Sequence, residues 1–177
     1  PMPMTSGFGP AKPVWSPGEQ QDGNATMRHF EIAVVGAGLA GRIAAIALAR
    51  AGRQVVLIAP PADKKDHRTT ALMDQSIRFM ESLGLWSDIE PHAARLSTMQ
   101  IIDATDRLLR APSVAFRSSE IGLAAFGWNM PNAALLEVLG AAVQRESDIT
   151  LIEGLAETID VGEHAARLSL EGGEDLS

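Results

Sequence analysis

The pattern of apolar and polar positions changes character near residue 29. Up to Thr26, proline, glycine and serine interrupt the chain and neither a helical nor a strand period emerges, so residues 1–28 read as a disordered leader. It has neither the basic start nor the apolar stretch of a secretory signal. From His29 the pattern sharpens. Phe30-Glu31-Ile32-Ala33-Val34-Val35 is a short apolar run bounded by glycine, which predicts a strand buried on both faces. Gly36-Ala37-Gly38-Leu39-Ala40-Gly41 follows, and then residues 42–51, dominated by Ala, Ile and Leu and stopped by Gly52, predict a helix. Gln54-Val55-Val56-Leu57-Ile58-Ala59 predicts a second buried strand, closed by Pro60-Pro61. Strand, glycine turn, helix and strand within about 30 residues make a βαβ unit with a right-handed crossover.

Beyond this unit the pattern loosens. Residues 63–70 read as a polar connection. Ile77, Met80 and Leu83 share one face of a helix over about 74–82, with Gly84 ending it. Residues 99–103, with Leu96 and the pair Leu108-Leu109, predict strands in a less regular region. Pro131 opens a further helix whose buried face carries Leu135, Leu136, Leu139 and Val143, with Asn129 as its cap. Residues 149–152, 156–161 and 165–170 predict three strands, with turns at Gly162-Glu163 and Gly172-Gly173. The chain stops at Glu174-Asp175-Leu176-Ser177, where another strand should begin to pair. Residues 29–177 are therefore expected to be an α/β domain that is incomplete at its C-terminal end.

Composition narrows the chemistry. The 177 residues are 46% apolar and 21% charged, which suits a globular core. A net charge of −7 argues against a general nucleic-acid binder, which needs a basic surface to displace counterions. The absence of cysteine excludes disulfides, thiolate metal sites and cysteine nucleophiles. The histidines (His29, His67, His92, His164) have no metal-ligand spacing, so no metal site is expected. No apolar run reaches the roughly 18 residues of a membrane span, and a cytoplasmic protein is expected.

The glycine segment carries the clearest chemistry. Gly36 permits a tight turn out of the strand, Gly38 lets a diphosphate approach backbone N–H groups, and Gly41 lets the helix pack close to the strand. The positive end of that helix then faces the phosphates. An acidic residue about 20 positions on normally takes the ribose hydroxyl. Here the second strand ends in Ala59, and the nearest carboxylate is Asp63 beyond two prolines. Spacing alone leaves FAD and NAD both open.

Together with that turn, Asp66-His67-Arg68-Thr69-Thr70-Ala71-Leu72, Glu81-Ser82-Leu83-Gly84-Leu85-Trp86, Met99-Gln100-Ile101-Ile102-Asp103-Ala104 and Phe126-Gly127-Trp128-Asn129-Met130-Pro131-Asn132 stand in a characteristic order. In this series the chain resembles the ubiquinone-biosynthesis hydroxylase family, FAD-dependent aromatic monooxygenases of the p-hydroxybenzoate hydroxylase type. The resemblance runs from His29 to about Leu170. It implies a Rossmann-like FAD-binding domain with the start of a β-rich substrate region. It also implies that Gly36, Ala37, Gly38, Leu39, Ala40 and Gly41 bind the FAD diphosphate, that Arg68 lies against the flavin nucleotide, and that Asn132 begins a helix near the cofactor. Where the family often carries an arginine four residues after that position, this chain has Leu136. The implied reaction hydroxylates a polyprenylated phenol or quinol with NAD(P)H and dioxygen. So hydrophobic a substrate implies a ubiquinone-biosynthesis complex or peripheral membrane association. The family's later segments that complete the FAD site have no counterpart before Ser177, so the chain alone is expected to bind FAD weakly or not at all and not to hydroxylate. No catalytic residue is assigned.

Plainer readings stand beside these. Arg68 also reads as a solvated loop arginine beside Lys64 and Lys65, and Asn132 as an ordinary helix-start asparagine. Met73, Phe79 and Met80 read as core, Trp86 and Trp128 as packing. Glu146, Asp148, Glu153 and Glu157 read as a solvated acidic face. A nicotinamide-dependent reductase and a non-catalytic nucleotide-binding or assembly module are the rival functions.

Overall fold

The computed structural model describes residues 27–61 and 66–177. Strand β1 (Ile32–Val35) leads through the glycine turn into helix α1 (Leu39–Arg50), and strand β2 (Val55–Ala59) returns parallel to β1 with Ile32 opposite Val55. Then come β3 (Thr69–Met73), α2 (Asp74–Ser82) and the short α3 (Trp86–Ile89), which runs into a 3-10 turn at Glu90–His92. Strands β4 (Ala94–Leu96), β5 (Thr98–Ile101), β6 (Val114–Arg117) and β7 (Gly127–Pro131) precede helix α4 (Asn132–Arg145). The described residues end with β8 (Ile149–Glu153), β9 (Ala156–Val161), β10 (Ala166–Leu170) and β11 (Asp175–Leu176).

The architecture follows from β2. Its Val55, Val56, Leu57 and Ile58 are all buried, as expected of a strand flanked by neighbours on both edges and layers on both faces. The parallel sheet runs β1-β2-β8. Period two sends Val55 and Leu57 into a cluster with Ile46 of α1 and Leu135 and Leu139 of α4. Val56 and Ile58 go to the other face, with Ile152, Leu168, Leu170 and Leu176. The antiparallel β9-β10-β11 meander supplies most of that second layer. Each such fully buried side chain contributes about 1.5–3 kcal/mol. A separate sheet, β3-β7-β4, lies before α4, and among the described residues β5 pairs only with β6.

Most expected elements stand where the pattern put them, and several do not. The first strand starts at Ile32, with the Phe30 N–H donated to Ser177 O at 2.7 Å, and it is not buried on both faces: it is an edge strand whose Ala33 and Val35 are exposed. The expected polar connection over 63–70 gives way to β3 from Thr69, paired with β7. Asn129 is no cap; it sits inside β7, and Pro131 occupies the cap position of α4. Leu108 and Leu109 form no strand and stand exposed in the β5–β6 connection. Met80 is core as expected, but Met73 and Phe79 are about half exposed, at 53% and 47%. Trp86 and Trp128 do pack, edge to face at 5.4 Å, on the main cluster. Of the acidic residues read as solvated, Glu146 pairs with Arg50 and Asp148 accepts from Gln54. The leader up to Thr26 lies outside the described residues; Arg28 forms a parallel bridge with Leu176.

Candidate functional site

The glycine turn, the start of β3 and the start of α4 converge on a cleft of about 380 Å³. Its walls include Gly38, Leu39, Arg68, Thr70, Asn132 and Leu136. Gly36 leaves β1 at φ +104, which side chains rarely adopt, and donates its N–H to Ile58 O at 2.7 Å. Gly38 is extended (φ −72, ψ −173) and caps α1. A Cβ on Gly38 would meet nothing within 4 Å, so a side chain there would occupy open space beside the cleft without striking the fold. A Cβ on Gly41 would come 1.8 Å from Gly36 O. The two glycines thus serve different ends: Gly41 seats helix on strand, and Gly38 keeps an approach clear.

No side chain caps α1 and no acidic residue stands in its first turn. The first backbone bond of the helix is Arg42 N to Gly38 O at 3.0 Å. The amides of Leu39, Ala40 and Gly41 precede it and have no acceptor within the helix. Their free N–H groups and the helix dipole favour an anion.

The facing wall is a hydrogen-bond network around Asn132, which is only 5% exposed. Asn132 Nδ2 donates to Asp66 Oδ2 at 2.9 Å, Thr70 Oγ1 donates to Asn132 Oδ1 at 2.5 Å, and Asn132 N donates to Arg68 O at 2.9 Å. Arg68 grips Asp66 through Nε at 2.9 Å and Nη2 at 2.8 Å, and its backbone N–H adds a third bond at 3.0 Å. Hydrogen bonds from the Arg68 side chain and then from Asn132 hold the Asp66 carboxyl well below the usual carboxylate range. Asp66 in turn raises the Arg68 guanidinium. The Arg68 side chain is 83% exposed, so its charge stands at the rim with the Nη1 edge uncommitted among the described residues.

A model of the FAD binding domain family matches residues 29–161. This chain belongs to that FAD-binding domain family. No curated protein sequence matches the chain. Several solved structures share its fold. PqsL, a probable FAD-dependent monooxygenase from Pseudomonas aeruginosa, has a TM-score of 0.61 at 19% identity, covering 84% of this chain and 40% of its own. The p-nitrophenol 4-monooxygenase PnpA from Pseudomonas putida has a TM-score of 0.66 at 17% identity, covering 85% and 39%. The 2-methyl-3-hydroxypyridine-5-carboxylic acid oxygenase has a TM-score of 0.62 at 23% identity, covering 86% and 38%. The FAD-binding domain chain thus spans about two fifths of the length of these proteins.

Within this FAD-binding domain, the residues singled out in the sequence come together. Gly38, Leu39, Arg68 and Asn132 line the cleft, Gly36, Ala37 and Gly41 build the turn behind it, and Ala40 is exposed on the first turn of α1. Arg68 lies in a loop with its side chain largely exposed, as the plainer reading has it, and it also pairs with Asp66. The Asn132 side chain makes no helix cap; it bridges Asp66 and Thr70. Asp63 lies outside the described residues, and Ala59 stands opposite Glu153 of β8. Asp66 and Thr70 also line the cleft, and neither carries a site signal of its own in the sequence. Asp66 and Asn132 are 66 positions apart, and only the β3–β7 pairing joins them, so local spacing gave no signal.

Proposed function

We propose that this chain is the diphosphate-binding part of an FAD-dependent monooxygenase. In this reading the complete enzyme hydroxylates an aromatic ring of a polyprenylated ubiquinone precursor, with NAD(P)H as electron donor and dioxygen as co-substrate. The observation that carries it is the open approach at Gly38, beside the uncapped amides of α1 and opposite the Arg68 guanidinium. A dianionic diphosphate fits that donor set: backbone N–H groups on one wall and a cation on the other. Gly36, Ala37, Gly38, Leu39, Ala40 and Gly41 hold the diphosphate, and Arg68 faces the nucleotide from the rim. Asn132 and Asp66 keep Arg68 and the start of α4 in register.

When bound, FAD supplies a reducible ring system that passes electrons from NAD(P)H to dioxygen and delivers one oxygen atom to an electron-rich ring. The family match and the aromatic substrates named for PnpA and the pyridine-carboxylate oxygenase support the reaction class. The order of motifs from the glycine turn to Asn132 supports the ubiquinone precursor. Such a substrate calls for a biosynthetic complex or peripheral contact with a membrane from the cytoplasmic side, and no described helix is long and apolar enough to cross one.

Thermal unfolding with added FAD, riboflavin and NADH tests the cofactor. FAD at one hundred times its dissociation constant should add about 2.7 kcal/mol, and riboflavin, which lacks the diphosphate, far less. Stabilisation by NADH alone would point to a nicotinamide reductase, and none by any ligand to an assembly module. For the complete enzyme, labelled dioxygen should place one oxygen atom in the ring of a polyprenylphenol.

A further inference from the structure

Arg42 sits one residue past the glycine segment and resembles no element of its chemistry in the sequence. In the structure its part-buried guanidinium makes two bonds, both to carbonyls: Nε to Ala37 O at 2.8 Å and Nη1 to Leu136 O at 2.6 Å. No carboxylate pairs with it among the described residues. A partly desolvated cation without a counter-charge is costly, and burial lowers its pKa from the ordinary arginine value. Helix α4 makes room for it, because a Cβ on Gly140 would stand 2.6 Å from Nη1. A glycine in a helix interior is less favourable than alanine. The fold therefore keeps a cation whose partners among the described residues are carbonyls alone, beside a weak helix position.

The peptide unit explains what the contact achieves. A trans peptide is planar, so the Ala37 carbonyl and the Gly38 N–H point in opposite directions. Holding the Ala37 oxygen toward Arg42 turns the Gly38 N–H away from it, and Gly38 lines the cleft. The second bond ties the same guanidinium to Leu136, whose residue lines the facing wall. We propose that Arg42 is a positioning residue that fixes the Ala37–Gly38 peptide plane and the spacing of the two cleft walls, so that the Gly38 amide is preset for a diphosphate. This deepens the cofactor reading above and rests on it.

The test is nitrogen-edited NMR of the chain, titrated with ADP and, as control, with adenosine. In the unsubstituted protein the Gly38 amide should shift with ADP and not with adenosine. Arg42→Met removes charge and clamp together, and half-saturating ADP should rise about ten- to a hundredfold, as for loss of a charge-assisted hydrogen bond. Gly140→Ala retains the charge, favours the helix and displaces the guanidinium, and it should weaken ADP in the same direction. Arg42→Lys retains charge with a single ammonium and should fall between. Folded Arg42→Met and Gly140→Ala proteins that bind ADP as tightly as the parent overturn the proposal, and a lowered melting temperature alone would make Arg42 ordinary helix-to-helix glue. If the unsubstituted Gly38 amide does not shift with ADP, the cofactor site itself is wrong.

Discussion

In the proposed reading, the glycines at 38 and 41 separate binding from folding at single positions. Gly38→Ala adds a methyl where there is space and the backbone needs no left-handed angle, so urea unfolding should change by less than about 1 kcal/mol, the scale of a poorer helix cap. Nucleotide affinity should fall. Gly41→Ala drives a methyl into the Gly36 carbonyl, and overpacking of that kind costs about 1–3 kcal/mol. The packing role of Gly41 was legible in the motif's spacing, because it depends on a local backbone path, and the diphosphate role proposed for Gly38 is read from the same path. Asp66 was not legible, since its significance comes from Arg68 and Asn132 together. Its depressed pKa has a defined sign. The carboxylate's contribution is fully present above the unfolded aspartate pKa of about 3.9 and is lost as pH falls toward the folded value. The stability difference between the parent and Asp66→Asn should therefore be flat above about pH 5 and shrink in stronger acid, as followed by melting temperature.

At the level of elements, what the sequence reveals depends on how one-sided the burial is. Strand β2 was readable because an uninterrupted apolar run has few alternatives, and α4 because its apolar residues repeat at helical spacing. Strand β3 was not: Arg68-Thr69-Thr70 looks like a polar loop, and only the partner β7 makes it a strand. The β5–β6 hairpin lies at the other extreme. Every residue of both strands is exposed, including Met99, Ile101, Val114 and Phe116, and neither strand has another partner in its sheet. Two strands without a covering layer are marginal in water. Amide hydrogen exchange should find β5 and β6 among the first elements to exchange and β2 among the last; equal protection would mean that something covers the hairpin.

At the scale of the whole molecule, one strand governs the site. The cleft is made by the glycine turn after β1 and the starts of β3 and α4, and β2 holds that turn through the Gly36 N–H to Ile58 O bond. Strand β2 in turn is held on one edge by β8 and on one face by the meander of β9, β10 and β11. None of those later strands touches the cleft. An excised peptide of residues 29–61 would keep every glycine of the fingerprint and lose the walls that stiffen it, so it should bind no nucleotide and show little structure by circular dichroism. Recognition, as proposed, is written in a few neighbouring positions and enforced from strands more than a hundred residues further along, so a change deep in the meander can silence a motif it never meets.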